Sequence, residues 1–356
     1  MNPYESLPST AFWKPAVADR AMLEIGGLWT PKFAIPKQAP IATYGSCFAQ
    51  HIGKALKARG YAWNVTETAP AGMRDVSARA FNYGIFSSRT ANIYTTTLLR
   101  QWLSWATGEA SPPEEVWRQG DRFLDPFRPR IEPDGFASVE ELRASRERAI
   151  ECLRASVAGS DFFVFTLGLT ESWHNAAGYE YPMCPGTVGG EFDEREHRFR
   201  NLEFAGIVDS LEASLESMKA LNPALRFILT VSPVPLTATR SGQHVLVATM
   251  HSKSILRAVA GHFHAHRDDT DYFPSYEIIN SPAFKGAFFE GNLRSVGESG
   301  VAFVMDSFFA CLGDGGIPGR APAAEEIPAP PVHPDASGND EHCEEAFLEA
   351  FAAGSK

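Results

Sequence analysis

The chain has 356 residues, 44% of them hydrophobic, enough to bury a large core as one elaborated domain or as two. A formal net charge of −11 argues against a nucleic-acid partner, and residues 320–356 supply eight acids against Arg320 and Lys356. The five cysteines (47, 152, 184, 311 and 343) show no paired spacing, residues 1–12 lack a basic stretch followed by an apolar core, and no run of about 18 apolar residues occurs, so a soluble cytoplasmic protein without a membrane span is expected.

Residues 1–39 are rich in proline and aromatic side chains (Phe12, Trp13, Trp29, Phe33) and read as an arm packed on the domain that follows. The apolar run 39–44 then passes through Gly45 into a helical pattern over 48–59 that carries Phe48, Ile52, Ala55 and Leu56 on one face and stops at Gly60. Ser46 stands at that strand-to-helix corner. Its hydroxyl has two uses there, capping free backbone N–H groups or facing a substrate, and the helix start favours negative charge. Cys47 follows on the same turn, where a thiolate is also favoured, but neighbouring helical residues point about 100° apart, so only one of the two faces the crevice.

Residues 61–66 predict a second strand, the stretch 82–87 a glycine-centred loop, and 92–105 a helix with Tyr94, Leu98, Trp102 and Trp105 on its core face. Prolines 112, 113, 126, 129 and 133 mark a loop-and-hairpin insertion at about 108–137. A capping box of Ser138 and Glu141 opens a helix to about 157, and the continuous apolar run 161–167 predicts a strand buried on both faces. Helix 202–220, strand 226–231, helix 243–264, a last strand over 272–278 and helix 296–312 complete the alternation. The expected fold is α/β, a doubly wound, mostly parallel five-stranded sheet in order 2-1-3-4-5, flavodoxin-like, with loop insertions and with ligands at the carboxyl ends of the strands. The expected organisation is the arm 1–39, an α/β domain 40–315, and an acidic, Pro/Ala-rich tail 316–356 that is disordered and has no catalytic part. Phe347, Leu348 and Phe351 can make one short helical turn in it.

Gly-Ser-Cys-Phe-Ala at 45–49, Gly-Leu-Thr-Glu-Ser-Trp at 168–173, Cys184-Pro185-Gly186, Ser232-Pro233-Val234-Pro235, Ser252-Lys253-Ser254 and Tyr272-Phe273-Pro274-Ser275-Tyr276-Glu277 resemble the ordered blocks of the GSCFA family over roughly 40–312. That family in turn resembles the SGNH/GDSL hydrolases, esterases and acyl transferases with a three-layer sandwich fold, many acting on carbohydrates, and it is associated with polysaccharide or capsule biosynthesis. The resemblance implies Ser46 as nucleophile, Gly84 and Thr170 as oxyanion-hole donors, and Glu171 in the place of the superfamily's aspartate. Where the superfamily carries D-x-x-H, residues 290–296 hold Arg294 and no histidine, and a serine without a base is a weak nucleophile. His244 and His51 are therefore the candidate bases. His174, beside Trp173, is within reach of substrate but shows no triad pattern.

Candidate substrate-binding residues are Asn82, Trp173, Ser232 and Arg294, with Lys253 and Arg257 one helical turn apart and suited to an anionic group. No metal-ligand spacing, P-loop, G-x-S-x-G elbow or dinucleotide fingerprint is present, so no cofactor is expected. The expected activity is an esterase or O-acyltransferase acting on an acyl ester of a saccharide or glycoconjugate, with a small-molecule or saccharide substrate and an acyl donor as partners. The alternative is a non-catalytic ligand-binding or assembly protein that keeps the crevice.

Overall fold

The computed structural model describes residues 2–313 and 343–352. They form two compact units, one built from residues 36–272 with 343–352, the other from residues 2–35 with 273–313.

The larger unit runs β1 (Ile41–Gly45), α1 (Ala49–Ala58), α2 (Asp75–Ala80), α3 (Thr96–Thr107), a hairpin of β2 (Trp117–Gln119) and β3 (Arg122–Leu124), then α4 (Val139–Ala158) and β4 (Phe162–Leu167). It continues through β5 (Glu171–His174), β6 (Glu180–Tyr181), β7 (Arg198–Asn201), α5 (Phe204–Leu221), β8 (Arg226–Val231), α6 (Val245–His266) and β9 (Thr270–Tyr272). The core sheet is all parallel in the order β1-β4-β8-β9. β4, buried at every position, lies between β1 and β8, as a strand apolar on both faces must. Its register sets Gly45 beside Thr166 and Leu167 beside Val231, so β1, β4 and β8 deliver their carboxyl ends to one edge.

The sheet has four strands rather than the expected five. Residues 61–66 do run along the outer side of β1, with Ile41 N–H donating to Ala62 O (2.9 Å) and Asn64 N–H to Ile41 O (2.8 Å), but they make only the single bridge Ile41–Trp63. Side chains hold them instead of a ladder. The Trp63 indole packs where Gly53 of α1 leaves room and donates to Thr43 Oγ1 (2.9 Å), while Thr66 Oγ1 donates to Cys152 O (2.7 Å). The strand expected over 272–278 also ends early, at Tyr272, because Pro274 has no N–H for a ladder and leads into a helix. In the insertion, the expected hairpin is anchored by the buried Asp125 carboxylate, which accepts from Arg128 Nε (2.8 Å) and Arg146 Nη2 (2.8 Å).

β5 forms a separate antiparallel sheet in the order β6-β5-β7. In the smaller unit, α7 (Ser275–Asn280) and α8 (Glu298–Cys311) accompany the N-terminal residues, and Trp29 stacks on Phe308 (5.2 Å) and meets Phe273 edge-on (5.3 Å). Of the tail expected to be disordered, residues 316–342 and 353–356 lie outside the described residues, and Glu344–Leu348 and Glu349–Ala352 form two short helical turns. Among the described residues no helix is long and apolar enough to cross a membrane.

Candidate functional site

Gly45 makes the β1–α1 corner possible. At its φ of +133° a Cβ would stand 2.6 Å from Thr166 N and closer still to Thr166 O, so only glycine lets β1 finish this close to β4. Ser46 N–H then donates to Thr166 O (3.1 Å), and Ala49 N–H to Ser46 O (2.9 Å) starts the turn into α1. Phe48 is the N-cap of α1 and no side chain caps it. The Ser46 hydroxyl therefore does not serve as the cap. It is buried, and its Oγ has no hydrogen-bond partner among the described residues.

Two backbone segments press against this serine. A Cβ on Gly168 would lie 2.9 Å from the Ser46 Cβ and 3.0 Å from Tyr94 O, so the residue after β4 must be small. Residues 92–94 join the two strand ends: Ile93 N–H donates to Gly45 O (2.8 Å), and Gly168 and Leu169 N–H both donate to Tyr94 O (3.0 Å each). The expected helix over 92–105 starts only at Thr96, because Thr95 Oγ1 accepts from Leu98 N–H (3.0 Å) and caps it. That frees Asn92 and Tyr94 for the site, and neither was among the candidates. Gln50 Nε2 donates to Asn92 Oδ1 (3.3 Å).

A cavity of about 230 Å³ opens beside Tyr94, between the segment after β4, the β5–β6 sheet and the loop after β8. Its wall is mainly apolar, with Leu98, Leu169, Met183 and Leu236, and Glu171, Ser172, Trp173 and Glu180 also line it. Ser46 does not line it; Tyr94 is the residue common to the cavity and the serine corner.

The other candidates divide into those near this edge and those elsewhere. Glu171 lines the cavity and its carboxylate accepts from Thr239 Oγ1 and from Arg240 N–H (3.0 Å). Thr170 is buried with its hydroxyl donating to Asn201 Oδ1 (2.7 Å), which commits the donor expected for an oxyanion. Ser232, at the end of β8, donates its N–H to Leu167 O (2.8 Å). Lys253 is buried and its Nζ donates to Gly168 O (2.7 Å), so it holds the backbone behind Ser46. Arg257 stacks over Tyr272 (4.2 Å to the ring centroid).

Gly84 is exposed in the turn after α2 with a φ of +68°. Asn82 donates to Arg130 O (2.9 Å) and shares a small cleft with Asn92. His51 is half-buried in the first turn of α1, edge-on to Phe48 (5.4 Å). His244 is exposed and caps α6, its Nδ1 accepting from Leu246 N–H (3.2 Å). Neither histidine is bonded to Ser46 Oγ. Arg294 belongs to the smaller unit, where its N–H donates to Asn292 Oδ1 (3.0 Å). Cys47 is buried.

The serine that does meet a histidine is Ser172. Its Oγ lies 3.0 Å from His174 Nε2, while Nδ1 lies 3.4 Å from Gly178 O, a geometry that assigns the proton to Nδ1 and leaves Nε2 to accept from Ser172. Burial holds the His174 imidazole below its usual range, in its neutral form. Glu180, paired with His174 across β5 and β6, is buried, and burial pushes its carboxyl up to about 7 despite the hydrogen bond from Thr95. Its Oε2 has no hydrogen-bond partner among the described residues and lies 3.9 Å from His174 Nε2. A buried acid titrating near neutrality on a cavity wall is equipped to take or give a proton.

The GSCFA family model matches residues 40–308, which span the larger unit's sheet and part of the smaller unit. Set against curated proteins and against solved structures, the chain gives no match.

Proposed function

Because the chain belongs to the GSCFA family, whose naming block here is residues 45–49, we propose that the crevice at the carboxyl edge of the sheet handles an acyl ester and that Ser46 is its nucleophile. In this reading, which draws on the resemblance to SGNH/GDSL hydrolases, the ester belongs to a saccharide or glycoconjugate and the protein is an esterase or O-acyltransferase. The observation that supports it best is Ser46 Oγ itself. An unbonded buried hydroxyl costs about 1–3 kcal/mol, and Ala would fill the same corner without that cost. A polar atom kept at such expense on a strand-to-helix corner is best explained by a ligand.

The step balances as an acyl transfer. Ser46 Oγ bonds the acyl carbon, the ester C–O bond breaks, and the alcohol leaves with the proton that Oγ released; water or a sugar hydroxyl then takes the acyl group. His51 or His244 carries that proton, and either must approach Ser46 when the ester binds. The second reading, a ligand-binding protein without catalysis, is favoured by one observation, that no base is bonded to Ser46 Oγ among the described residues.

The test is intact-mass analysis and peptide mapping after exposure to a fluorophosphonate probe. One adduct, mapped to residue 46 and lost in Ser46→Ala but retained in Cys47→Ala, is the expected result. An adduct on Ser172 would move the nucleophile to β5, and no adduct would favour the binding protein.

A further inference from the structure

The C-terminal segment 343–352 is part of the larger unit, and the way it packs there describes a ligand. Glu344 is buried, and a single oxygen, Oε2, accepts from Tyr94 Oη (2.7 Å) and from Asn92 Nδ2. Both donors are neutral and both belong to the segment tied between Gly45 and Gly168. Burial pushes the Glu344 carboxyl upward, as expected where neutral donors replace water. One turn on, Leu348 joins the wall of the apolar cavity beside Tyr94, and Phe347 lies under the Arg130 guanidinium (4.9 Å to the ring centroid). The segment thus presents a carboxyl group to two converging donors and an aliphatic group to the adjoining cavity.

We propose that Asn92 and Tyr94 are the head-group cradle of a site for an aliphatic carboxylic acid, with the apolar cavity taking its chain, and that Glu344 and Leu348 are a tethered occupant holding the place of that ligand. Donors fixed by backbone at two strand ends are preorganised, as a small-ligand site requires. Sequence composition gives the same tail no core of its own, and the cradle is one of the contacts that hold it. The site does not require Ser46 to be a nucleophile, and it stands whether the crevice catalyses or only binds.

Hydrogen exchange of the full chain with octanoate, and with octanol as the analogue lacking the carboxyl, tests this. Octanoate is expected to deprotect residues 343–352 while protecting 92–98, and octanol to do neither. Glu344→Ala removes the competitor without touching the sheet, and is expected to bind octanoate about 10-fold more tightly, since binding no longer has to displace the tail. Tyr94→Phe removes one donor and is expected to weaken octanoate binding about 5- to 10-fold, corresponding to one hydrogen bond. Should Tyr94→Phe fail to fold, Asn92→Asp in the Glu344→Ala background, which sets a carboxylate against the ligand, must abolish binding. The proposal is overturned if octanol acts as octanoate does, or if Glu344→Ala binds octanoate no better than the native chain.

Discussion

The corner at Ser46 and the strand β5 each carry a buried serine, and they are built in opposite ways. Ser46 Oγ has no partner among the described residues, but the backbone around it is fixed on every side, by Thr166 O, by Gly168 and by the Ile93–Gly45 bond. Ser172 Oγ has its partner in His174, whose neighbour Glu180 is held by Thr95, but this pairing rests on short strands of two and four residues. At the corner the geometry is rigid and the hydroxyl is left over. On β5 the hydroxyl is engaged and the geometry comes from side chains. Rigid backbone with a spare polar atom is the arrangement a ligand completes, whereas a satisfied pair can persist for stability alone.

The contrast is broken most severely at Gly45. In Gly45→Ala the new Cβ meets the Thr166 backbone on the neighbouring strand, which cannot yield, at a φ that L side chains rarely adopt. The expected loss is on the order of 4 kcal/mol or more, read by urea unfolding, or outright failure to fold. A variant within about 1 kcal/mol of native would mean the corner is not rigid.

The β5 cluster is tested by pH. The folded protein keeps the Glu180 proton up to about 7, whereas the unfolded chain releases it near 4.5. The folded state thus binds more protons between these values, so its stability is fully present below about 4.5 and falls as pH rises toward 7. The loss should be on the order of 3 kcal/mol at most, and Glu180→Gln should remove that slope from the unfolding free energy. An unchanged slope would show that Glu180 is solvated in the fold. Glu344 titrates in the same direction, so the comparison is made between native and variant rather than on the absolute curve.

How far the sequence reached differs between the two regions for a physical reason. The corner is local: an apolar run, one glycine and a helical stripe lie within twenty residues, and these were enough to place Ser46 at the end of β1. The central strands β4 and β8 were equally legible as continuous apolar runs. Tyr94 shares a core-face stripe with Leu98, Trp102 and Trp105, and the cap at Thr95 that excludes residues 92–94 from the helix competes with that periodicity. His174 and Glu180 meet only through antiparallel register, which no local pattern states. Glu344 lies in a tail whose composition argues for disorder, and its side-chain partners are donors 250 and 252 residues away. The cradle, unlike the corner, is made of long-range contacts alone.

The smallest expected effect separates the two serines most directly. Ser46→Ala removes a buried hydroxyl with no partner, so no hydrogen bond is lost, one unsatisfied polar atom disappears, and the Cβ that fits against Gly168 stays. Its stability should be raised by about 1 kcal/mol, the low end of the cost of an unbonded buried hydroxyl. Ser172→Ala removes the donor to His174 Nε2 and leaves that nitrogen buried and unbonded, so it should cost about 1–2 kcal/mol. Matched urea melts of the two variants decide the point. A stable Ser46→Ala that has also lost its ligand or its probe adduct would mark a residue kept for function at the expense of stability, while a Ser46→Ala as damaged as Ser172→Ala would mean the corner hydroxyl is bonded in solution and the contrast between the two sites does not hold.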